Sequence, residues 1–369
     1  MRHGKHKMAM FFRLFFFFML AASEVVAGSI FDPAKNSKFC PKDYGRVLSG
    51  MDVRKYPGEL PVSLDQDFSK YREIYQGEID DYLHAYSDYL MLLMAKATWS
   101  PDASVALRKE ILKNSIIQPL KYNAKAEGRP TFHILLVMVP LTIAYAQHKH
   151  EYSKDEKNLV NKWIERKLRT ILQDNYLGST DTDNKKYFIG VWLAAFAEAT
   201  GNKSYLNKAI SIFKKAVDKQ RKDGSLINDS QRGGSAIHYT NQAVMSLVTL
   251  AEMLTEAGFN AYDYNKNGRS IHTIINFLLD ATIDPTRISG YASDPEWSKS
   301  SFPGYSAENQ QLKWITNQNA VWAYYYLNRF EKSDLGNKIR SVSPFIRKKQ
   351  LAVHENAGGN PVCYIGGFP

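Results

Sequence analysis

The sequence predicts an all-α protein, an α/α toroid formed by helical hairpins in a single domain. Three observations favour this fold class. Apolar residues recur at helical spacing along most of the chain, strand-like alternation is scarce, and short polar turns separate successive helices. The hairpins follow one another without a heptad seam, although the sequence has no strict repeat. The inner helices of such a toroid would surround a cleft.

The toroid domain is expected over residues 66–345, followed by a C-terminal tail over 346–369 that wraps the surface. The clearest hairpin joins an apolar stripe that begins at Tyr187 to a second stripe that ends at Val217, with a turn at Gly201. Another helix follows Ser235, a plausible N-cap. Further helices are predicted over 72–98, 101–117, 131–147, 154–174, 269–281 and 310–330.

Residues 1–27 have the features of a secretory signal peptide. Four Lys and Arg residues precede an apolar run at 14–22, and small residues at 25–27 provide a cleavage site. Because the apolar run is too short to span a bilayer, we expect no membrane span after cleavage and a periplasmic or secreted protein. An irregular segment rich in Pro and Gly follows over residues 28–65.

The mature chain is basic. Removal of residues 1–27 takes away four Lys/Arg and one Glu, so the formal net charge falls from +11 to +8. Excess positive charge attracts a polyanion, but charge alone does not distinguish a nucleic acid, an anionic glycan and an acidic membrane surface. The 22 Tyr provide rings that can stack on sugars. We therefore expect the partner to be an anionic polysaccharide rather than a nucleic acid. The protein is also expected to be a monomer.

The two cysteines, Cys40 and Cys363, lie near opposite ends of the mature chain. Export would place them where a disulfide persists, so we predict one bridge between them, with two separate thiols as the alternative. Neither cysteine lies in a metal-binding or thiol-catalytic setting, and no metal or other cofactor is expected.

A first group of candidate site residues lies at a predicted helix start. Asp183 or Thr182 can cap a helix that begins at Asn184, which places Asn184 and Lys185 in its first turn. Free amide hydrogens at a helix N-terminus attract an anion, and an Asn donor with a Lys ammonium strengthens that attraction for a carboxylate. An exposed lysine that merely follows a cap is the simpler interpretation if Lys185 is taken alone.

A second group lies at the start of another predicted helix. Arg232 is followed by two glycines, and Tyr239 lies about one turn into the helix. Arginine can hold a carboxylate through two parallel hydrogen bonds, and its permanent charge near a phenol favours the phenolate. Taken alone, Tyr239 is equally well explained as a core tyrosine.

Together the two groups suit β-elimination from a uronic-acid polymer. The carboxylate charge of an acidic sugar must be masked before the adjacent carbon can lose a proton. A phenol can then carry protons in both directions. The sequence thus predicts a site in which fixed positive charge and an acid–base tyrosine act on one sugar.

The sequence resembles the alginate lyase family, which comprises polyuronate lyases built on an incomplete α/α toroid. The family motif Asn-Asn-His-x-Tyr-Trp is matched by DNKKYF at 183–188, and its Arg followed seven residues later by Tyr is matched by Arg232 and Tyr239. The turn DGSL at 223–226 and the segment LKWI at 312–315 also resemble the family. The similarity extends over about residues 128–330.

The resemblance implies that Asn184, Lys185 and Arg232 neutralise the substrate carboxylate while Tyr239 acts as base and acid. Lys185 stands where the family has its histidine, and Phe188 where it has tryptophan. A lysine can supply the positive charge but is a poor base at neutral pH, although a variant in which Lys185 takes the proton stays open.

This substitution favours a particular substrate stereochemistry. In mannuronate the C5 hydrogen and the C4 oxygen leave from the same side, so one tyrosine can serve both steps and no second base is needed. Substrates that place the two groups on opposite faces call for a separate acid and base. We expect a preference for β-1,4-linked D-mannuronate, with D-glucuronate next.

Substrate contacts are expected from His238, Tyr187, Trp314 and Arg129. His238 adjoins Tyr239 but points about 100° away from it on an ideal helix, and a structural histidine is the alternative. The main alternative function is a protein that binds anionic glycans on the same toroid with weak or no turnover.

A glycoside hydrolase is the second alternative. It requires paired carboxylates across a cleft. Glu198, Asp223 and Glu252 are available, but none has a clear partner in the sequence.

Overall fold

The computed structural model describes residues 40, 60, 78–121, 130–173, 183–292 and 318–369. Within these ranges the regular structure is helical, and the only β-type pairs are two isolated bridges, Lys266 with Arg269 and His354 with Gly359. The predicted all-α fold class is confirmed. The predicted signal peptide and nearly all of segment 28–65 lie outside the described residues.

Fourteen helices are described, and several short 3-10 turns connect them. The helices are α1 (Glu78–Ala97), α2 (Pro101–Ile117), α3 (Pro130–His148), α4 (Lys154–Leu172), α5 (Asn184–Thr200), α6 (Lys203–Lys219), α7 (Ile227–Ser230), α8 (Ala236–Glu256), α9 (Ile271–Ile283), α10 (Thr286–Ser289), α11 (Trp322–Phe330), α12 (Asp334–Val342), α13 (Pro344–Arg347) and α14 (Pro361–Ile365).

Inner and outer helices alternate along the chain. The inner helices α1, α3, α5, α8 and α11 each pack on the next one in that order. Each has an outer partner that follows it in sequence, namely α2, α4, α6, α9 and α12. This succession of hairpins is the α/α toroid that the sequence predicted.

The two layers differ in the distribution of their apolar residues. Residues 187–197 of α5 and 243–254 of α8 are buried without interruption, whereas α6 buries only one face. A helix that is apolar all round belongs in the interior of a large domain, and an amphipathic helix belongs at the surface. No helix in the described ranges is long and apolar enough to cross a membrane.

Close contacts hold α5 in the centre of the inner layer. Trp192 donates its indole N–H to the Thr142 hydroxyl of α3 at 2.8 Å. A Cβ atom on Gly190 would lie 2.8 Å from Leu250 Cδ2 of α8 and 3.2 Å from Ile212 Cγ2 of α6. The absence of a side chain at Gly190 thus lets α5 approach α6 and α8 closely.

The turns of the best-predicted hairpin agree with the sequence analysis. Asp183 caps α5 by accepting the Lys186 amide hydrogen at 3.0 Å, and Gly201 ends the helix in the left-handed conformation at φ 72°. Asn202 then caps α6. Ser235 precedes α8 as predicted, but its side chain makes no capping hydrogen bond, because a 3-10 turn over Gly233–Ser235 leads directly into the helix.

The expectation that the C-terminal tail wraps the surface is wrong. Residues 352–364 are buried, and the 3-10 turn Glu355–Ala357 packs against α1, α3 and α8, while α14 packs against α11. The toroid is incomplete, and the apolar residues of the tail fill its interior between the first and last inner helices. The predicted disulfide between Cys40 and Cys363 is confirmed, and it anchors this buried tail.

Candidate active site

Arg232 and Tyr239 meet at the start of α8. The Arg232 guanidinium carbon lies 4.2 Å from the centroid of the Tyr239 ring and over its face. A cation in this position is attracted to the negative face of the ring. Both side chains are half-buried and therefore reach solvent.

The backbone between these residues explains how they meet. Gly233 adopts φ 50°, a left-handed conformation that disfavours other residues. The Ser235 amide then donates to the Arg232 carbonyl at 3.0 Å, which closes the turn and directs the chain into α8. The guanidinium can thereby fold back over a ring seven residues further along.

Asn184, the first residue of α5, is bonded to both sides of this pair. Its side-chain Nδ2 donates to Gln242 Oε1 at 2.8 Å, and Gln242 lies one turn beyond Tyr239 on the same face of α8. Its backbone amide donates to Asp229 Oδ1 at 3.2 Å, three residues before Arg232. The structure therefore brings the two predicted groups of residues to one place.

The amides at the start of α5 are already occupied by carboxyl groups. Asp183 accepts the Lys186 amide hydrogen, and Asp229 accepts that of Asn184. The expectation that these amides point freely outward is wrong for these two positions, since acidic side chains bond to both. Positive charge in this region comes instead from side chains, including those of Arg232 and Lys185, which are both half-buried.

Asn184 itself is only 3% exposed. One Nδ2 hydrogen is engaged by Gln242, which leaves the second hydrogen as the donor that its amide can offer to a ligand. Its Oδ1 has no hydrogen-bond partner among the described residues. Asn184 thus lies at the base of the site rather than at its surface.

His238 packs edge-on against Tyr239, with ring centroids 5.0 Å apart. The two rings thus touch despite the 100° separation expected of consecutive positions on a helix. Burial, together with His354 and Arg232, lowers the pKa of His238 to about 4. His238 is therefore uncharged at neutral pH, where it is available for neutral hydrogen bonding and is a weak base.

His354 brings the C-terminal tail to this part of the site. Its Nε2 lies 3.2 Å from Asn319 Oδ1, and its Nδ1 lies 3.3 Å from both the Asn356 amide nitrogen and Glu355 Oε2. The Asn356 side chain donates to the Ser246 hydroxyl of α8 at 2.9 Å. These bonds fix the tail against the helix that carries Tyr239.

A further ionisable cluster joins the tail to α1. His84 Nδ1 lies 4.0 Å from Glu355 Oε1. Burial and the nearby Glu355 raise the pKa of Asp88 to about 7, and His84 acts in the opposite direction. In the described ranges no set of three or more His, Cys, Asp and Glu side chains is arranged to hold a metal ion.

The remaining predicted contacts have different positions. Tyr187 is 0% exposed, because it is part of the packed interior of α5, so a direct contact between its ring and a sugar is not available in this structure. Arg129 and Trp314 lie outside the described residues. The sequence analysis did not identify Gln242, whose spacing of three residues from Tyr239 is a signal for a shared helix face.

Two of the three carboxylates considered for hydrolysis, those of Glu252 and Asp223, are committed to other contacts. Glu252 is buried, accepts the Tyr262 hydroxyl hydrogen at 2.6 Å and pairs with Arg329 at 2.8 Å. Asp223 accepts hydrogen bonds from Ser225 and Tyr291. Neither arrangement presents the free pair of carboxylates that a glycoside hydrolase requires.

The fold and the site together define a class: an α/α-toroid protein with a cationic site that contains a tyrosine at the start of an inner helix. The family model described as Alginate lyase matches residues 120–288, just under half of the chain. A curated Polysaccharide lyase from Stenotrophomonas maltophilia (strain K279a) is 23% identical over 145 residues, which are 39% of this chain and 43% of that protein. The resemblance to the alginate lyase family is thereby confirmed.

Solved structures show the same architecture. Alginate lyase A1-III from Sphingomonas species A1 has a TM-score of 0.67 at 18% identity, with 92% of this chain and 96% of that chain covered. A variant of A1-III complexed with a tetrasaccharide has a TM-score of 0.68 at 19% identity, with 92% and 95% covered. An alginate lyase from Bacteroides ovatus has a TM-score of 0.52 at 14% identity, with 79% and 75% covered. At these identities the likeness concerns the fold, and it confirms the toroid.

Proposed function

We propose that this protein is a polysaccharide lyase that cleaves a β-1,4-linked polyuronate by β-elimination. The observation that carries the proposal is the Arg232 guanidinium over the Tyr239 ring, beside an asparagine bonded to both flanking segments. This arrangement combines a fixed cation with a phenol, the two functions that the elimination needs. The match to the Alginate lyase family model supports the same reaction class.

Each residue has a distinct role in this proposal. Arg232 and Lys185 receive the C5 carboxylate of the sugar, and the free amide hydrogen of Asn184 assists from the base of the site. Masking that charge makes the C5 proton removable. The Tyr239 phenolate takes the proton and returns one to the C4 oxygen, which leaves as a hydroxyl as the C4–C5 double bond forms.

The substrate proposed is polymannuronate or polyglucuronate, with mannuronate preferred. A single tyrosine can serve as base and acid only when the C5 hydrogen and the C4 oxygen leave from the same side, as in mannuronate. Lys185, at the position proposed to match the family histidine, contributes charge rather than basicity. His238 is proposed to border the sugar as a neutral group, and Arg129 and Trp314 remain proposed contacts outside the described residues.

The cellular setting follows from the same proposal. Residues 1–27 are proposed to act as a signal peptide that directs the protein to the periplasm or beyond the cell. The disulfide between Cys40 and Cys363 suits an oxidising compartment. The mature protein is proposed to act as a monomer on its anionic polysaccharide.

A panel of polymers tests the function. The mature protein is incubated with polymannuronate, polyguluronate, polyglucuronate and hyaluronan while the ultraviolet absorbance of an unsaturated uronate is followed, and new reducing ends are counted in parallel. We expect absorbance to rise fastest with polymannuronate. New reducing ends without absorbance would indicate hydrolysis, and binding without either signal would indicate a glycan-binding protein.

A further inference from the structure

Asp229 is a buried carboxyl group that the proposed chemistry does not use. Its side chain is 0% exposed and lies in α7, three residues before Arg232. Oδ1 accepts the Asn184 amide hydrogen at 3.2 Å, whereas Oδ2 is buried and has no hydrogen-bond partner in the described part of the chain. Burying a polar atom without a partner costs stability, so this placement requires an explanation.

The geometry suggests what Asp229 does. The hydrogen bond from Asn184 joins the start of α5 to the segment that leads into Arg232. The separate bond from Asn184 to Gln242 joins the same residue to α8. Asp229 thus adds a hydrogen bond to the segment before Arg232, beside the Asn184–Gln242 bond and the packing of α5 on α8.

We propose that Asp229 is a positioning residue that sets the separation between Arg232 and the first turn of α5, which carries Asn184 and Lys185. It does not touch the substrate. It acts through Asn184, by fixing where the groups that receive the sugar carboxylate stand. This inference rests on the proposed lyase function and extends it to a residue behind the site.

The charge state of Asp229 matters for this role. Burial and the neighbouring Asp183 raise its pKa well above the usual value, while Arg232 and the Asn184 amide act in the opposite direction. The ionisable residues in the first turn of α8, which packs on α7, are His238 and Tyr239. Burial thus opposes ionisation of Asp229, and an ionised Asp229 would weaken the attraction of Arg232 for a polyanion.

Two substitutions separate the acceptor from the charge. Asp229→Asn keeps an oxygen acceptor and carries no charge, whereas Asp229→Leu removes the acceptor at similar size. On polymannuronate we expect kcat/KM to fall by about tenfold or more in the Leu variant, and to stay within about threefold in the Asn variant at neutral pH.

Ser230→Ala is the matched control within α7. Ser230 is also 0% exposed, but its hydroxyl donates to the Leu226 carbonyl at 2.6 Å and accepts from Arg221 Nη1 at 2.7 Å. We expect this variant to lose some thermal stability and to keep its kcat/KM. Circular dichroism and thermal unfolding establish that each variant is folded.

The inference is overturned if folded Asp229→Leu keeps kcat/KM within about threefold of the parent, since a lost positioning bond should cost more. Should the Leu variant fail to fold, the Asn variant decides: a tenfold loss of kcat/KM at neutral pH contradicts the role of the side-chain oxygen as the acceptor that positions Asn184.

Binding distinguishes failure of this inference from failure of the proposed function. Calorimetry measures the affinity of Tyr239→Phe for a mannuronate tetrasaccharide with and without Asp229→Leu. About tenfold weaker binding in the double variant supports positioning even if the parent shows no turnover, and equal affinity contradicts it.

Discussion

At the scale of single residues, the site depends on charge placement more than on the number of catalytic groups. Arg232 lies against the ring of Tyr239, and His238 beside them is kept uncharged by burial and by neighbouring positive groups. Within this local set, one phenol and two cationic side chains are sufficient for the proposed elimination. The sequence predicted these residues and the cap at Asp183, whereas it gave no sign that Asp229 accepts the Asn184 amide hydrogen.

Lys185 provides a test of charge against basicity. Lys185→Arg keeps the positive charge but removes any realistic base, so we expect kcat/KM on polymannuronate to stay within about tenfold of the parent. Lys185→Gln removes the charge and should lose about tenfold to a hundredfold, the loss of one charged contact. Steady-state kinetics measures both. An inactive, folded Lys185→Arg variant would show instead that the lysine takes the proton.

At the scale of elements, the hairpins were predictable because their apolar stripes and caps are local. Asp183, Gly201 and Asn202 each act through hydrogen bonds or backbone angles within a few residues, so the sequence contains the necessary signals. The buried tail was not predictable in this way. Its Gly and Pro content is typical of exposed chain, and only the space left by the incomplete toroid explains its burial.

The contact between α1 and the tail predicts a pH-dependent stability. Burial and the nearby Glu355 raise the pKa of Asp88 to about 7 in the folded protein, well above the ordinary value of an aspartate side chain. The folded state therefore holds this proton more tightly than the unfolded state, and the free energy of unfolding falls as the pH rises through this range. Asp88→Asn should remove this decrease in the free energy of unfolding, because asparagine does not titrate.

Thermal unfolding of Asp88→Asn and the parent between about pH 4 and pH 8 checks the sign, with the variant gaining stability relative to the parent as the pH rises. Asp155→Asn, at an exposed position in the first turn of α4, is the control, and we expect its difference from the parent to change little. If the stability of Asp88→Asn relative to the parent decreased with rising pH, this would contradict the assigned upward shift of the Asp88 pKa.

At the scale of the whole molecule, the fold class and the residues of the candidate site were predictable from the sequence. The long-range contacts that join the C-terminal tail to the helix of the site were not. The disulfide joins residues 323 positions apart and holds the tail that carries His354 and Glu355. Such long-range placement depends on the assembled toroid, which no local pattern encodes. The C-terminal tail thus packs against α8, the helix that carries Tyr239, although the motifs lie in the centre of the chain.

Removing the disulfide should lower the stability of the folded protein. For Cys40→Ser with Cys363→Ser we expect the free energy of unfolding to fall by about 2–5 kcal/mol, because the unfolded chain regains the freedom that the cross-link removes. Denaturant unfolding measures this change, and the reduced parent should behave like the double variant. Because the tail carries His354, which lies near His238, kcat/KM should fall as well. Unchanged stability would mean that the tail packs in place without the disulfide.

The central claim is that Tyr239 moves the protons of the elimination. The most direct measurement is the rate of unsaturated uronate formation from polymannuronate by Tyr239→Phe, compared with Tyr264→Phe, which loses a hydroxyl bonded to Asp218 on the outer layer. For Tyr239→Phe we predict a loss of at least about a hundredfold in kcat, with oligosaccharide affinity retained. For Tyr264→Phe we predict turnover close to that of the parent. A folded Tyr239→Phe variant that turns over polymannuronate at the rate of the parent would contradict the acid–base role of Tyr239.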